Sequence, residues 1–271
     1  MSVRDVSGDS YDTPSGSAGP WAARFPSLVF LWKVLNIVKH DGQLAKAGKY
    51  FSDTWLEGSE NTLRALELCG VSVHAEGMRH IDEVDGPCVF IGNHMSTLET
   101  FVLPTFIQSR KEVTYVVKDS LLRYPWFGPV LQSRDPIVVG RTNARQDLAA
   151  VLDGGEERLK KGVSVIVFPQ STRSTTFIPA QFNSIGIKLA KRAQVPVIPL
   201  ALRTDAWGTG RLIKDFGAIN PALPVHFAFG KAMMVEGAGK AEHAAVCDFV
   251  EQHLRRWNVV SATGAESGAS E

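Results

Sequence analysis

The stretch PCVFIGNHMSTLET, residues 87–100, decides how this chain is read. Cys88–Ile91 is apolar on both faces and bounded by Pro87 and Gly92, the pattern of a strand covered on both sides. Asn93 and His94 stand at its end, and Ser96-Thr97-Leu98-Glu99 opens a helix. A strand that passes through a polar turn into a helix is the repeating unit of an α/β domain.

Working outward, the same alternation recurs. Val113–Val117, Ile137–Val139, Val163–Phe168, Val195–Leu202 and Val225–Phe229 read as further buried strands. Helical patterns fall near 97–108, 145–161 and 181–193. The pattern over 240–257 is clearer, with Ala245, Phe249, Val250, Leu254 and Trp257 along one face. No internal repeat is visible. The expected fold class is α/β, a mostly parallel central sheet flanked by helices over residues 69–258, with an N-terminal amphipathic helical segment over 21–68.

Within that N-terminal segment, 44–68 reads as one helix, and FPSLVFLWKVLNIVKH, residues 25–40, as another. Lys33, Asn36 and His40 make a narrow polar stripe between Phe25, Leu28, Val29, Leu31, Trp32, Leu35 and Val38. The run is interrupted and shorter than the roughly 20 apolar residues of a spanning helix. Two readings stay open: a helix lying in a bilayer interface, or a helix packed on the core. Residues 1–20 and 259–271, rich in small and polar side chains, are expected to be disordered tails. The first of them lacks the basic-then-apolar order of a signal peptide.

Composition narrows the function classes. The chain has 271 residues, 44% hydrophobic and 21% charged, enough for one well-cored domain. A formal charge of +1 lacks the basic excess of a nucleic-acid binder. The three cysteines, Cys69, Cys88 and Cys247, show no metal-ligand spacing, so neither zinc nor a disulfide framework is expected.

The chemistry-bearing residues lie at strand ends. A His at a strand mouth, with a carboxylate near its second ring nitrogen, is suited to general-base work: the acid fixes the tautomer while the other nitrogen takes a proton. His94 and Glu99 have that order. The spacing alone is weak, because His80 with Asp85 and His243 with Asp248 share it; only His94 follows a strand. Ser96 and Glu99 also form a capping box, so Glu99 has a structural reading beside the chemical one. In VIVFPQSTRS, residues 165–174, a strand ends at Phe168-Pro169 and presents Gln170, Ser171, Thr172 and Arg173, a set that suits an anionic, oxygen-rich group or a capped turn. PIVVGRTN ends another strand at Gly140-Arg141 and offers a second cation. VPVIPLAL is chemically silent, a buried strand shaped by Pro196 and Pro199.

In that order the four segments resemble the four sequence blocks of the glycerophospholipid acyltransferase family, over roughly residues 60–235. The family's NHxSxxD is matched by Asn93, His94, Ser96 and, with a change, Glu99. Its strand ending in Arg is matched at Arg141. Its FPEGTRS is matched by Phe168, Pro169, Thr172, Arg173 and Ser174, and its VPVxPV-like block by Val195 to Pro199. The resemblance implies direct acyl transfer with no bound cofactor or metal. His94, oriented by Glu99, would deprotonate a lysophospholipid hydroxyl, and that oxygen would attack an acyl-CoA or acyl carrier protein thioester. Arg141, Gln170, Ser171, Thr172 and Arg173 would meet the acceptor, supported by Asn93, Ser96, Gly140 and Pro169, while an apolar tunnel takes the acyl chain. It also implies work at the cytoplasmic face of a membrane as a peripheral or monotopic protein, with the membrane surface as partner and no nucleic acid. Three positions depart from the pattern: Glu99 for Asp, Gln170-Ser171 for Glu-Gly, and Asn183 where a basic residue follows Phe182. They leave room for a different lysolipid or aminolipid acceptor, or for a non-catalytic lipid-binding relative.

Overall fold

A computed structural model of the chain describes residues 6, 8–170, 172–210 and 216–259. The candidate residue Ser171 and the expected C-terminal tail from 260 onward lie outside the described residues.

Eight strands form one sheet: β1 (Ser10–Asp12), β2 (Val73–Glu76), β3 (Val89–Gly92), β4 (Val113–Lys118), β5 (Ile137–Val139), β6 (Ser164–Val167), β7 (Val197–Arg203) and β8 (Val225–Phe229). Their order is β1-β2-β8-β7-β3-β6-β4-β5. The β1–β2 and β7–β8 pairings are antiparallel and the others parallel. β3 and β6 lie in the middle with all their residues buried, the expectation for apolar runs covered on both faces.

Ten α-helices accompany the sheet: α1 (Pro20–Arg24), α2 (Pro26–Lys46), α3 (Ser52–Leu68), α4 (Arg79–Asp82), α5 (Leu98–Val102), α6 (Pro104–Ile107), α7 (Phe127–Gln132), α8 (Ala144–Lys160), α9 (Ile185–Ala193) and α10 (Lys240–Arg256), counted among the described residues. The two-residue period of β3 sorts them into layers. Phe90 faces a core shared with Phe30 and Val34 of α2, Leu63 and Leu66 of α3, and Phe106 of α6. Val89 and Ile91 face the opposite core with Val151 of α8, Leu189 of α9 and Val250 of α10.

The expected α/β architecture is the one observed, with corrections at particular elements. The tail expected to be disordered over 1–20 contains β1, because Tyr11 is buried there and its hydroxyl donates to Glu67 Oε1 at 2.5 Å. One anchored aromatic outweighs the polar composition around it. The single helix expected over 44–68 is two, since α2 continues to Lys46 and Gly48, at φ 67°, turns the chain before α3. The helix expected over 97–108 is split at Leu103-Pro104, where the ring removes a backbone donor. The pattern over 181–193 becomes helical only at Ile185.

Residues 25–40 fall in α2 from Pro26 onward, and the helix packs on the core along one face. Phe30, Val34 and Val38 are buried, and Phe30 meets Trp207 edge-on at 5.0 Å. On the other side Phe25, Leu28, Trp32 and Leu35 are exposed, Leu28 to 70% and Trp32 to 65%. The helix is therefore docked by one stripe and bare along another. No described helix is long and apolar enough to cross a membrane.

Replacing Phe30 removes the anchor of α2 on the domain. Phe30→Ala should lower the unfolding free energy by about 3–5 kcal/mol, read from urea denaturation. A loss below about 1 kcal/mol would mean that α2 does not pack as described.

Candidate functional site

The site begins where β3 runs out. A Cβ on Gly92 would stand 2.6 Å from the Leu200 carbonyl oxygen, so only glycine lets the two backbones lie this close. Asn93 then extends the ladder with its side chain: Nδ2 donates to Leu202 O and Oδ1 accepts from Leu202 N, both at 2.8 Å. The His94 main chain is held by two bonds. Its N–H donates to Gln170 Oε1 at 2.6 Å, and its carbonyl accepts from Ser174 N at 2.9 Å.

The His94 ring is fixed as firmly. Nδ1 lies 3.1 Å from Glu99 Oε1, and the ring stacks on Phe168 with centroids 4.6 Å apart and planes 2° apart. With Nδ1 committed to the carboxylate, Nε2 is the nitrogen left for a substrate. The side chain is 14% exposed and borders a cavity.

Glu99 is fully buried. Besides His94, its oxygens accept from Met95 N at 2.6 Å, Ser96 N and Ser96 Oγ at 3.1 Å, and Thr204 Oγ1 at 2.8 Å. Burial alone would raise the carboxyl. The hydrogen bond and charge attraction of His94, a backbone amide and the Thr204 hydroxyl outweigh it and hold the group below its ordinary value. The capping arrangement coexists with the dyad, because Ser96 Oγ also accepts from Leu98 N at 3.0 Å. Thr204 is a partner that the sequence hid: it follows a strand whose motif is purely apolar.

The cavity beside His94 is about 590 Å³ and runs between the sheet and the layer formed by α2, α3 and α7. Phe101, Tyr115, Val117, Leu121, Phe127, Val130 and Leu131 give it apolar walls. Thr97, Thr172, Arg141, Arg173 and Lys118 also line it. Arg173 Nη1 donates to Thr97 Oγ1. Arg141 follows β5 with φ 55°, a left-handed conformation uncommon for a side chain of this size. Gly140 N, just before it, donates to Asp147 Oδ1 at 2.9 Å.

Among the expected acceptor-binding residues, Arg141, Thr172 and Arg173 line the cavity, and Gln170 does not. Gln170 is buried, with its carbonyl oxygen on the His94 amide, so it shapes the main chain at His94. Pro169 offers its carbonyl to Asn183 Nδ2, which ties that loop down where a basic residue was expected. Lys118 was missed. It ends β4 in register with Val139, two residues before Arg141, and its signal was a cation closing the run VTYVVK. The rival pairs dissolve: His80 turns to Glu83 at 2.9 Å, and His243 to the Phe182 carbonyl at 2.8 Å. Among the described residues no group of three His, Cys, Asp or Glu is placed to hold a metal ion.

Residues 71–203 match the profile of the family described as Acyltransferase. A 1-acyl-sn-glycerol-3-phosphate acyltransferase of Pseudomonas aeruginosa is 32% identical over 200 residues, covering 73% of this chain and 71% of that protein. The chloroplastic 1-acyl-sn-glycerol-3-phosphate acyltransferase BAT2 of Brassica napus is 29% identical over 138 residues, 51% of this chain and 38% of that one. The crystal structure of the 1-acyl-sn-glycerophosphate acyltransferase PlsC from Thermotoga maritima superposes with a TM-score of 0.66 at 18% identity, covering 89% of this chain and 100% of that chain, a likeness of fold.

A carboxyl held low stabilises the fold while it is ionised. Its contribution is whole above the unfolded-state value of about 4.3 and is lost as the pH falls through the lower folded value. Wild type should therefore exceed Glu99→Gln in unfolding free energy by about 2 kcal/mol or more at neutral pH. The gap should narrow below about pH 4, measured by denaturant titration across pH. A gap that does not change with pH would mean that Glu99 is protonated in the fold.

Proposed function

Because the chain belongs to the glycerophospholipid acyltransferase family, in its lysophosphatidate acyltransferase-like branch, and is an O-acyltransferase, we propose that it moves a fatty acyl chain from an acyl thioester to the free hydroxyl of lysophosphatidic acid, giving phosphatidic acid. The observation that carries this reading is the position of His94, on one apolar-walled cavity that Lys118, Arg134, Arg141 and Arg173 also line.

In this reaction His94 Nε2 takes the proton of the acceptor hydroxyl. The oxygen attacks the thioester carbonyl, and the tetrahedral intermediate expels the thiolate. The imidazolium, stabilised by Glu99, returns its proton to the leaving sulfur. Arg141, Arg173 and Lys118 hold the phosphate of the acceptor, where guanidinium groups offer paired donors. The acyl chain lies along the apolar walls. The donor is an acyl-CoA or an acyl carrier protein thioester. Gln170 stands away from the cavity, which removes one ground for a different acceptor.

The bare stripe of α2, together with Trp21 at 80% exposure, supports peripheral or monotopic attachment to a membrane surface, in this reading the cytoplasmic face. A lysolipid presented at that surface reaches the enzyme without first entering water.

Two measurements test this. Thiol release from palmitoyl-CoA, or from an acyl carrier protein thioester, should depend on dispersed lysophosphatidic acid and fall about a hundredfold or more in His94→Ala. Release that ignores the acceptor, or that survives loss of His94, contradicts the mechanism. Separately, Leu28→Glu with Trp32→Glu should strip the protein from sedimented phospholipid vesicles while leaving its far-ultraviolet spectrum unchanged. Equal sedimentation would remove the interfacial role of α2.

A further inference from the structure

Acyl transfer builds charge on two oxygens. His94 serves the attacking one. The other, the carbonyl oxygen of the thioester, becomes an anion in the tetrahedral intermediate, beside walls that are largely apolar. A donor that meets this oxygen more strongly in the intermediate than in the ground state raises the rate, and it is worth most where water is excluded.

The hydroxyls around His94 are of two kinds. Ser96 donates to Thr204 O at 2.9 Å, Thr100 to Thr97 O at 2.7 Å, Ser174 to Thr176 O at 2.8 Å and Thr204 to Glu99 Oε2 at 2.8 Å. Their protons are committed inside the protein. Thr97 is arranged the other way round: its Oγ1 accepts from Arg173 Nη1, and among the described residues it donates to no acceptor. An accepted bond from a cation draws density out of the oxygen and makes its own proton the better donor. A guanidinium carries five N–H groups, so this bond does not end the role of Arg173 toward the acceptor's phosphate.

The main chain places Thr97 beside the base. Arg173 and Ser174 are consecutive; the first reaches Thr97, and the second donates its N–H to His94 O at 2.9 Å. Thr97 and His94 are thus held against one short segment, and both line the cavity. Thr97 stands at the N-cap position of α5, whose first turn carries Glu99. Once the new bond has formed, the carbonyl carbon alone separates the attacking oxygen from the oxyanion.

We propose that Thr97 is a catalytic residue of the transfer, its hydroxyl, polarised by Arg173, donating to the oxyanion of the tetrahedral intermediate. This rests on the acyl-transfer reading of the same cavity. The acceptor oxygen bonds to the thioester carbon as its proton passes to His94 Nε2, and the carbonyl π pair moves onto the oxygen that Thr97 meets. That pair returns as the C–S bond breaks, and the sulfur leaves with its electrons and takes the proton from His94. Thr97 keeps its own proton throughout.

The test is thiol release from palmitoyl-CoA with lysophosphatidic acid as acceptor. In Thr97→Val kcat should fall about a hundredfold while the KM of the acceptor stays within about threefold. Thr97→Ser, which keeps a hydroxyl, should retain most of the rate. A sharper readout is the dithioester of coenzyme A, in which sulfur replaces the carbonyl oxygen and accepts hydrogen bonds poorly. The wild-type preference for the oxygen substrate should shrink about tenfold or more in Thr97→Val. Thr97→Ala takes the place of Thr97→Val if the latter alters the far-ultraviolet spectrum or the melting temperature. A kcat within about threefold of wild type, a loss confined to the KM of the acceptor, or an unchanged oxygen-to-sulfur preference overturns the proposal. The second of these would make Thr97 a support for Arg173 at the phosphate. Wild type that releases no acceptor-dependent thiol overturns the acyl-transfer reading, and the proposal with it.

Discussion

The carboxylate of Glu99 has no contact with water, so the protein must supply what water would have given. It does so from three directions. The amides of Met95 and Ser96 come from the turn before α5, the hydroxyl of Thr204 from the end of β7, and the remaining partner is the His94 ring. A buried carboxylate without these donors would be neutral or would unfold the turn. With them it is an ionised group that can hold an imidazole in one tautomer and orientation. The extra methylene of Glu over Asp is accommodated because the helix start itself wraps the carboxylate, so capping the helix and holding the His94 ring are one arrangement.

Parallel strands bring their C-terminal ends to one edge, and that edge gathers the rest. β3 delivers His94, β5 delivers Arg141, β6 leads to Thr172 and Arg173, and β4 ends at Lys118. Apart from Lys118, the last residue of β4, none of these side chains belongs to the strand ladder, whose core residues are mostly apolar and buried. The apolar walls of the cavity come partly from β4, through Tyr115 and Val117, and partly from the helices laid over that face. His94, Lys118, Arg141 and Arg173 are thus placed by sheet topology, while α2, α3 and α7 close the cavity from the other side.

Much of this was legible in the sequence, for physical reasons that differ by element. The six strands from β3 to β8 stood out because each is a short apolar run closed by Gly, Pro or polar residues. β2 is half-buried in alternation and too short to stand out, and β1 is held by one side chain, Tyr11, whose partner Glu67 is fifty-six residues away. Gly48 and Pro104 were visible, but a helical period tolerates one wrong residue, so the breaks were smoothed over. At the site, His94, Glu99, Arg141 and Arg173 stand out as candidates through residue type at strand ends taken together with the resemblance to the four family blocks. A sequence does not say which way a side chain turns, and Gln170 turns its carbonyl oxygen to the His94 amide. Lys118 and Arg134 carry no motif, and only register and packing bring them to the cavity.

The bonds from Asn93 to Leu202, and from Ser96 and Glu99 to Thr204, span 105 to 109 residues of sequence. Contacts so far apart along the chain form late, since the intervening loop must first be closed. During synthesis, then, β3 and the turn that bears His94 leave the ribosome long before the strand that holds them in place exists. The nascent chain lacks the Leu202 and Thr204 partners of Asn93, Ser96 and Glu99 until β7 lies beside β3.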